Sequence, residues 1–267
     1  MHVASLENRR GAPARTVGHV RRGITALLLL RDSLRKRGLG GTVRRLWRIV
    51  VHWNDTRQKA RADRSFDKEH GVETATWVRV PELDTDSWSR EHAVRYEPTS
   101  VEEFELLMGK LRVEHQDFAF VDYGSGKGRV LLLAAEYPFK RIIGVEFAES
   151  LNRIAAANVA TLGADAARIE TILIDATDYD PPPGPLVLYF FHPFGLPPLR
   201  RVLDRICLSL ERDPRPAYVV LTGPPELAQT VEESGFQRVD VDELGWMTRG
   251  VYVAPATFPS RAPAPPV

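Results

Sequence analysis

From residue 118 onward, short and largely apolar runs alternate with longer stretches whose apolar residues recur every three to four positions. Residues 118–121, 141–145, 169–174, 186–191 and 217–221 are runs of the first kind. A run of that length with no polar alternation suits a parallel strand covered on both faces. Residues 129–137, 150–162, 198–210 and 226–234 carry the helical pattern between them. Two further strands, over 236–241 and 250–254, lie close enough in sequence to form a hairpin at one sheet edge. The alternation predicts an α/β fold: a Rossmann-like, doubly wound, mostly parallel seven-stranded sheet with a C-terminal antiparallel hairpin.

Upstream the pattern changes. Ser100 and Glu103 stand at capping-box spacing and open a helix that places Phe104, Leu107 and Leu111 toward a core. Residues 66–96 are mixed, with Pro81, Trp77 and Trp88, and are expected to pack over the domain that follows. Residues 42–64 predict a helix with Val43, Leu46, Trp47, Val50 and Val51 on one face. Arg44, Arg45 and Arg48 fill much of its other face. Residues 19–37 predict a basic helix ended by Gly38, Gly40 and Gly41. The aperiodic start, 1–18, and the Pro/Ala-rich tail, 256–267, are expected to be disordered. The expected organisation is an N-terminal helical extension and lead-in over 19–90 and one α/β domain over 91–255.

Charge sharpens that division. Residues 1–65 hold sixteen Lys and Arg against four Asp and Glu, and the remainder holds twenty against thirty-one, so the net +1 conceals +12 and −11. Two expectations follow for residues 19–64: contact with an anionic membrane surface or nucleic acid, or a helix docked on its own domain with a solvated basic face. The apolar run over 24–30 is too short to cross a bilayer and ends at Arg31 and Asp32, so neither a membrane span nor an export signal is expected. A lone cysteine, Cys207, excludes an intrachain disulfide, and its amphipathic surroundings predict a buried thiol. A cytoplasmic setting, peripheral to a membrane if the basic arm binds one, is the matching expectation. The histidines are scattered, and no metal site is expected.

The chemistry is carried by Asp122, Tyr123, Gly124, Ser125, Gly126, Lys127 and Gly128, directly after an apolar strand and opening a helix. Glycines let the backbone turn sharply and approach a ligand closely, and the free N–H groups of the helix start favour a nearby anion. A dinucleotide site wants two residues before its third glycine, whereas only Lys127 separates Gly126 from Gly128. A P-loop wants Lys followed by Ser or Thr, and here Gly128 follows Lys127. Glu146 ends the second strand, where a carboxylate can accept hydrogen bonds from ribose hydroxyls, as in dinucleotide folds. Asp175, followed by Ala176, ends the third strand and can accept from an adenine amino group or cap a turn. The fourth strand ends in Phe191, His192, Pro193 and Phe194. His192 can accept a proton near neutral pH, or merely line a pocket. Lys127 and Arg129 can balance a ligand carboxylate or point to solvent.

This loop, strand-end acid and Asp-Ala pair, in this order of elements, resemble the class I S-adenosylmethionine (SAM)-dependent methyltransferases over about residues 90–255. The loop also resembles locally that of certain lysine methyltransferases. The resemblance implies SAM as cofactor. It places Asp122, Gly124, Ser125, Gly126 and Gly128 around the methionine part, Glu146 at the ribose, and Asp175 and Ala176 at the adenine. Tyr96 and Thr99, before the first strand, are implied to reach the methionine end. Amino-group methyltransferases often carry Asn/Asp-Pro-Pro-Tyr/Phe where this chain has His192, Pro193 and Phe194, so Phe191, Pro193 and Phe194 are implied to face the acceptor. The implied activity is methyl transfer to nitrogen or oxygen on a small molecule or protein side chain, with His192 as candidate base. Two other classes stay in view: a non-catalytic SAM-binding or scaffold module with a basic arm, and a nicotinamide-dependent oxidoreductase, which the glycine spacing disfavours.

Overall fold

The computed structural model describes residues 58–257. The expectations for the disordered start, the basic helix over 19–37, most of the helix over 42–64, and nearly all of the tail lie outside these residues. The described part begins in a helix over 58–70, here α1, which runs past the expected end at 64. A lead-in with short 3-10 turns at Val80–Glu82 and Trp88–His92 follows. Helix α2 (Val101–Lys110) is capped by Ser100, whose side chain accepts from the N–H of Glu103 at 3.2 Å. Only half of the expected capping box forms. The Glu103 carboxylate instead accepts from Thr222 at 3.0 Å and from Arg249 at 2.9 Å.

The alternating units then follow: β1 (Ala119–Tyr123), α3 (Arg129–Ala134), β2 (Arg141–Glu146), α4 (Glu149–Ala160), β3 (Ile169–Leu173) and β4 (Leu186–Phe191). Helix α5 (Leu196–Arg212), β5 (Ala217–Gly223), α6 (Pro225–Glu233), β6 (Gln237–Glu243) and β7 (Thr248–Val253) complete the domain. Helix α3 stops three residues short of the expected end, because Pro138 disfavours the helical conformation in Tyr137 before it. Cys207 is fully buried in α5, and its thiol donates to the Ser234 carbonyl at 3.6 Å.

The strands form one sheet in the order β3-β2-β1-β4-β5-β7-β6. β7 is antiparallel to β5 and β6, and the other adjacent pairs are parallel. This is the Rossmann-like sheet with its C-terminal hairpin that the sequence pattern predicts. β6 is the outer strand of that hairpin, and its charged Arg238, Asp240 and Asp242 blunt the open edge. The central strands alternate between two cores. Phe120, Val187 and Tyr189 face the side of α2, α3 and Phe66, while Val121, Tyr123, Leu188 and Phe190 face α5 and α6. Both faces being covered explains the unbroken apolar runs. Among the described residues no helix is long and apolar enough to cross a membrane.

Strand order reverses at β1, which has β2 on one side and β4 on the other. Open α/β sheets place their ligand crevice at such a switch point, beyond the carboxyl ends of the strands. A cleft lies there, lined by the glycine loop, the ends of β2, β3 and β4 and residues of the lead-in.

Candidate functional site

The glycine loop leaves β1 and is tied at once to β2, since the N–H groups of Gly124 and Ser125 both donate to the Val145 carbonyl, at 2.9 and 3.1 Å. Gly124 and Gly126 have positive φ, 83° and 54°, which a side chain resists. Their missing side chains also make room for the protein itself. A Cβ on Gly126 would lie 2.3 Å from the Tyr96 ring, and one on Gly124 would lie 2.5 Å from the Pro193 Cβ. The loop is thus sandwiched between the lead-in and the end of β4. Gly128 has a different role: it opens α3 and packs against Ala155 of α4, away from the cleft wall.

Two carboxylates are buried behind the loop. Glu146 is 4% exposed and accepts three backbone N–H groups: Gly126 at 2.8 Å, Phe147 at 3.0 Å and Ala148 at 2.9 Å. Burial pushes its pKa up to about 7, against the lowering effect of those bonds. Asp122, 3% exposed, is held well above the usual carboxylate range by burial and by the neighbouring Glu146 charge. Glu146 therefore shapes the loop, with three of its roughly four lone-pair positions in use. The buried hydroxyl of Ser125 has no hydrogen-bond partner and lies over Gly144 of β2, where an added Cβ would stand 2.8 Å from it.

Asp175 caps the turn after β3. One of its oxygens accepts from the N–H and the hydroxyl of Thr177, both at 2.8 Å, and the other accepts from Ser87 of the lead-in. Burial raises its pKa, but the bonds from Ser87 and Thr177 outweigh that and hold it below the usual value. Capping and exposure to the cleft thus coexist at Asp175, and Ala176 lines the cleft beside it.

The end of β4 closes the opposite wall. His192 has φ 39°, the one positive value outside glycine among the described residues, and its N–H donates to the Thr222 carbonyl at 2.7 Å. Such a conformation costs on the order of 1–3 kcal/mol and persists only where the surroundings impose it. Burial lowers the pKa of its imidazole, against the opposing pull of Glu97. Phe191, Pro193 and Phe194 line the same wall, but the Phe194 ring is 7% exposed and stands edge-on to Phe190 at 6.4 Å. Its ring belongs to the core more than to an acceptor surface. The lead-in forms the roof. Tyr96 and Thr99 face the cleft, Ala93 bridges Phe194, and Gly195 donates to the His92 carbonyl at 2.8 Å.

The expectation that Lys127 and Arg129 point to solvent is corrected, while Arg129 still lines the cleft. Both side chains are buried and turn to the lead-in. Lys127 pairs with Glu73 at 2.7 Å, and Arg129 contacts Asp63 and Asp67, both at 3.4 Å, and Thr74. Those four partners are what the sequence reading missed. A signal was present: Asp63, Phe66 and Asp67 sit three and four apart, hence on one helical face.

No protein-family model and no curated protein matches the sequence. Solved structures do resemble it. Geranyl diphosphate C-methyltransferase from Streptomyces coelicolor A3(2), solved with Mg2+, geranyl diphosphate and S-adenosyl-L-homocysteine, is 12% identical over 58% of this chain and 77% of its own, with a TM-score of 0.46. A SAM-dependent methyltransferase from Aquifex aeolicus is 16% identical over 57% of this chain and 89% of its own, with a TM-score of 0.45. The pyocyanin biosynthetic protein PhzM is 14% identical over 57% of this chain and 54% of its own, also at 0.45. The strand order sets β7 antiparallel between β5 and β6 at one edge of an otherwise parallel sheet.

Proposed function

We propose that this chain is a SAM-dependent methyltransferase acting on nitrogen or oxygen of a small molecule or protein side chain. One observation carries the reading: a single cleft at the switch point gathers the glycine loop after β1, Glu146 after β2, Asp175 after β3 and His192 after β4. The residues suit the cofactor. Asp122 and Glu146 offer acceptors to ammonium and hydroxyl donors at the cleft. Asp122, Ser125, Gly126, Tyr96 and Thr99 would hold the methionine end, Glu146 the ribose, and Asp175 with Ala176 the adenine.

When bound, SAM supplies an activated methyl group on a sulfonium. The chain's own task is then alignment and proton removal. Holding acceptor and donor in line can account for about 7–11 kcal/mol of a barrier. The roof of lead-in residues covers one side of the cleft. With its pKa lowered, His192 is neutral at neutral pH and free to accept the acceptor's proton.

The test is transfer of label from methyl-labelled SAM into a cell extract split into small-molecule and protein fractions. Label should enter one fraction with the wild-type protein. His192→Asn, which tolerates the left-handed backbone, should slow that transfer by about 10²–10⁴-fold. Binding of SAM without transfer into either fraction would instead favour a non-catalytic binding module.

A further inference from the structure

The buried cations of the glycine loop draw attention to what grips them. Lys127 and Arg129 flank Gly128 and are each 2% exposed. The Arg129 guanidinium donates to the Asp63 carboxylate and, at 3.3 Å, to the Asp63 carbonyl, to Asp67 and to Thr74, and lies 4.0 Å from the centre of the Phe66 ring. The Asp67 carboxylate also accepts from the N–H groups of Thr74 and Ala75, both at 2.7 Å. The Asn158 amide of α4 bonds both the N–H and the carbonyl of Glu73 and the carbonyl of Lys127. Finally, the Thr74 carbonyl accepts the Tyr96 hydroxyl at 2.9 Å. The Tyr96 ring rests against Gly126, and both Tyr96 and Arg129 line the cleft.

We propose that residues 60–75 are a strap whose docking on the glycine loop and ligand binding in the cleft reinforce each other. Asp63, Asp67, Glu73 and Thr74 are its positioning residues. The proposal rests on the cofactor reading above. The geometry supplies two routes from strap to cleft, one through Arg129 into the loop and one through Thr74 to Tyr96 over Gly126. Linkage requires reciprocity: whatever affinity the docked strap gives the ligand, the ligand returns as strap stability.

S-adenosylhomocysteine serves as probe. Saturating it onto the wild-type protein should slow amide exchange across residues 60–75 by about tenfold, within the usual range of coupling between sites. Glu73→Lys, which sets a second cation against Lys127, should weaken probe binding by about tenfold, and Glu73→Lys with Lys127→Glu should return it to within about threefold of wild type. A strap that only stabilises the fold would leave ligand-dependent exchange unmoved. Probe binding with unchanged exchange in 60–75, or with wild-type affinity in Glu73→Lys, overturns the strap alone. A wild-type protein that does not bind the probe overturns the proposed function, and the coupling with it.

Discussion

Replacing Arg129 by methionine should lower the unfolding free energy by about 3–5 kcal/mol, the usual cost of breaking a buried ion pair from one side. The guanidinium and its partner Asp63 are both almost fully buried, with side chains 2% and 3% exposed. Methionine fills much of the volume and keeps a contact with Phe66, but it takes the guanidinium away from the buried Asp63 and from Asp67 and Thr74. At about 2–4 °C per kcal/mol for a domain of this size, the melting temperature should fall by on the order of 10 °C. Adding Asp63→Asn to Arg129→Met should recover part of the loss, since one of the two carboxylates that the guanidinium faced is then neutral. Urea titration of the three proteins reads the effect. A loss below about 1 kcal/mol, the value of an exposed pair, would show that water reaches this network.

Acidification should make Glu146 contribute more to folding and weaken the chain's hold on ligand at the same time. The Glu146 pKa is raised by burial from its ordinary 4.5 to about 7. Below 4.5 both folded and unfolded chains hold the proton. Between there and about 7 only the folded chain does, so stability falls as pH rises through this window. The full loss is about 3 kcal/mol, and Asp122, shifted in the same direction, adds to it. Ribose hydroxyls need the ionised carboxylate, so affinity for S-adenosylhomocysteine moves the other way. It should rise by up to about tenfold per pH unit below neutral and level off above about 7. Calorimetry, and urea unfolding of the wild type against Glu146→Gln, which cancels the opposite contributions of the lowered His192 and His115, check both slopes across about pH 5.5–8.5, and parallel rather than opposed trends would contradict this role for Glu146.

The sheet was legible because each central strand is buried on both faces and so shows as an apolar run, as in Phe120 and Val121 or Val187 to Phe190. The glycine loop was legible because positive φ and close approach leave few alternatives to glycine at 124 and 126. Partners were harder to read than positions. Glu146 was found as a strand-end acid, but its three backbone donors come from a loop folded back over twenty residues and from its own turn. Arg129 pairs with Asp63 across 66 residues, and Glu103 with Arg249 across 146, distances at which local periodicity carries no information. The same limit hid the second use of the glycines, since nothing near Gly126 in sequence announces the Tyr96 ring.

The central claim is that the cleft at the switch point holds SAM, and thermal unfolding of the wild-type protein with SAM, S-adenosylhomocysteine and NADH side by side tests it most directly. A ligand present at about a hundredfold its dissociation constant adds about 2.7 kcal/mol, so SAM and S-adenosylhomocysteine should each raise the melting temperature by roughly 5–10 °C while NADH leaves it unchanged. No shift with either adenosyl ligand, or a shift with NADH alone, would contradict the account.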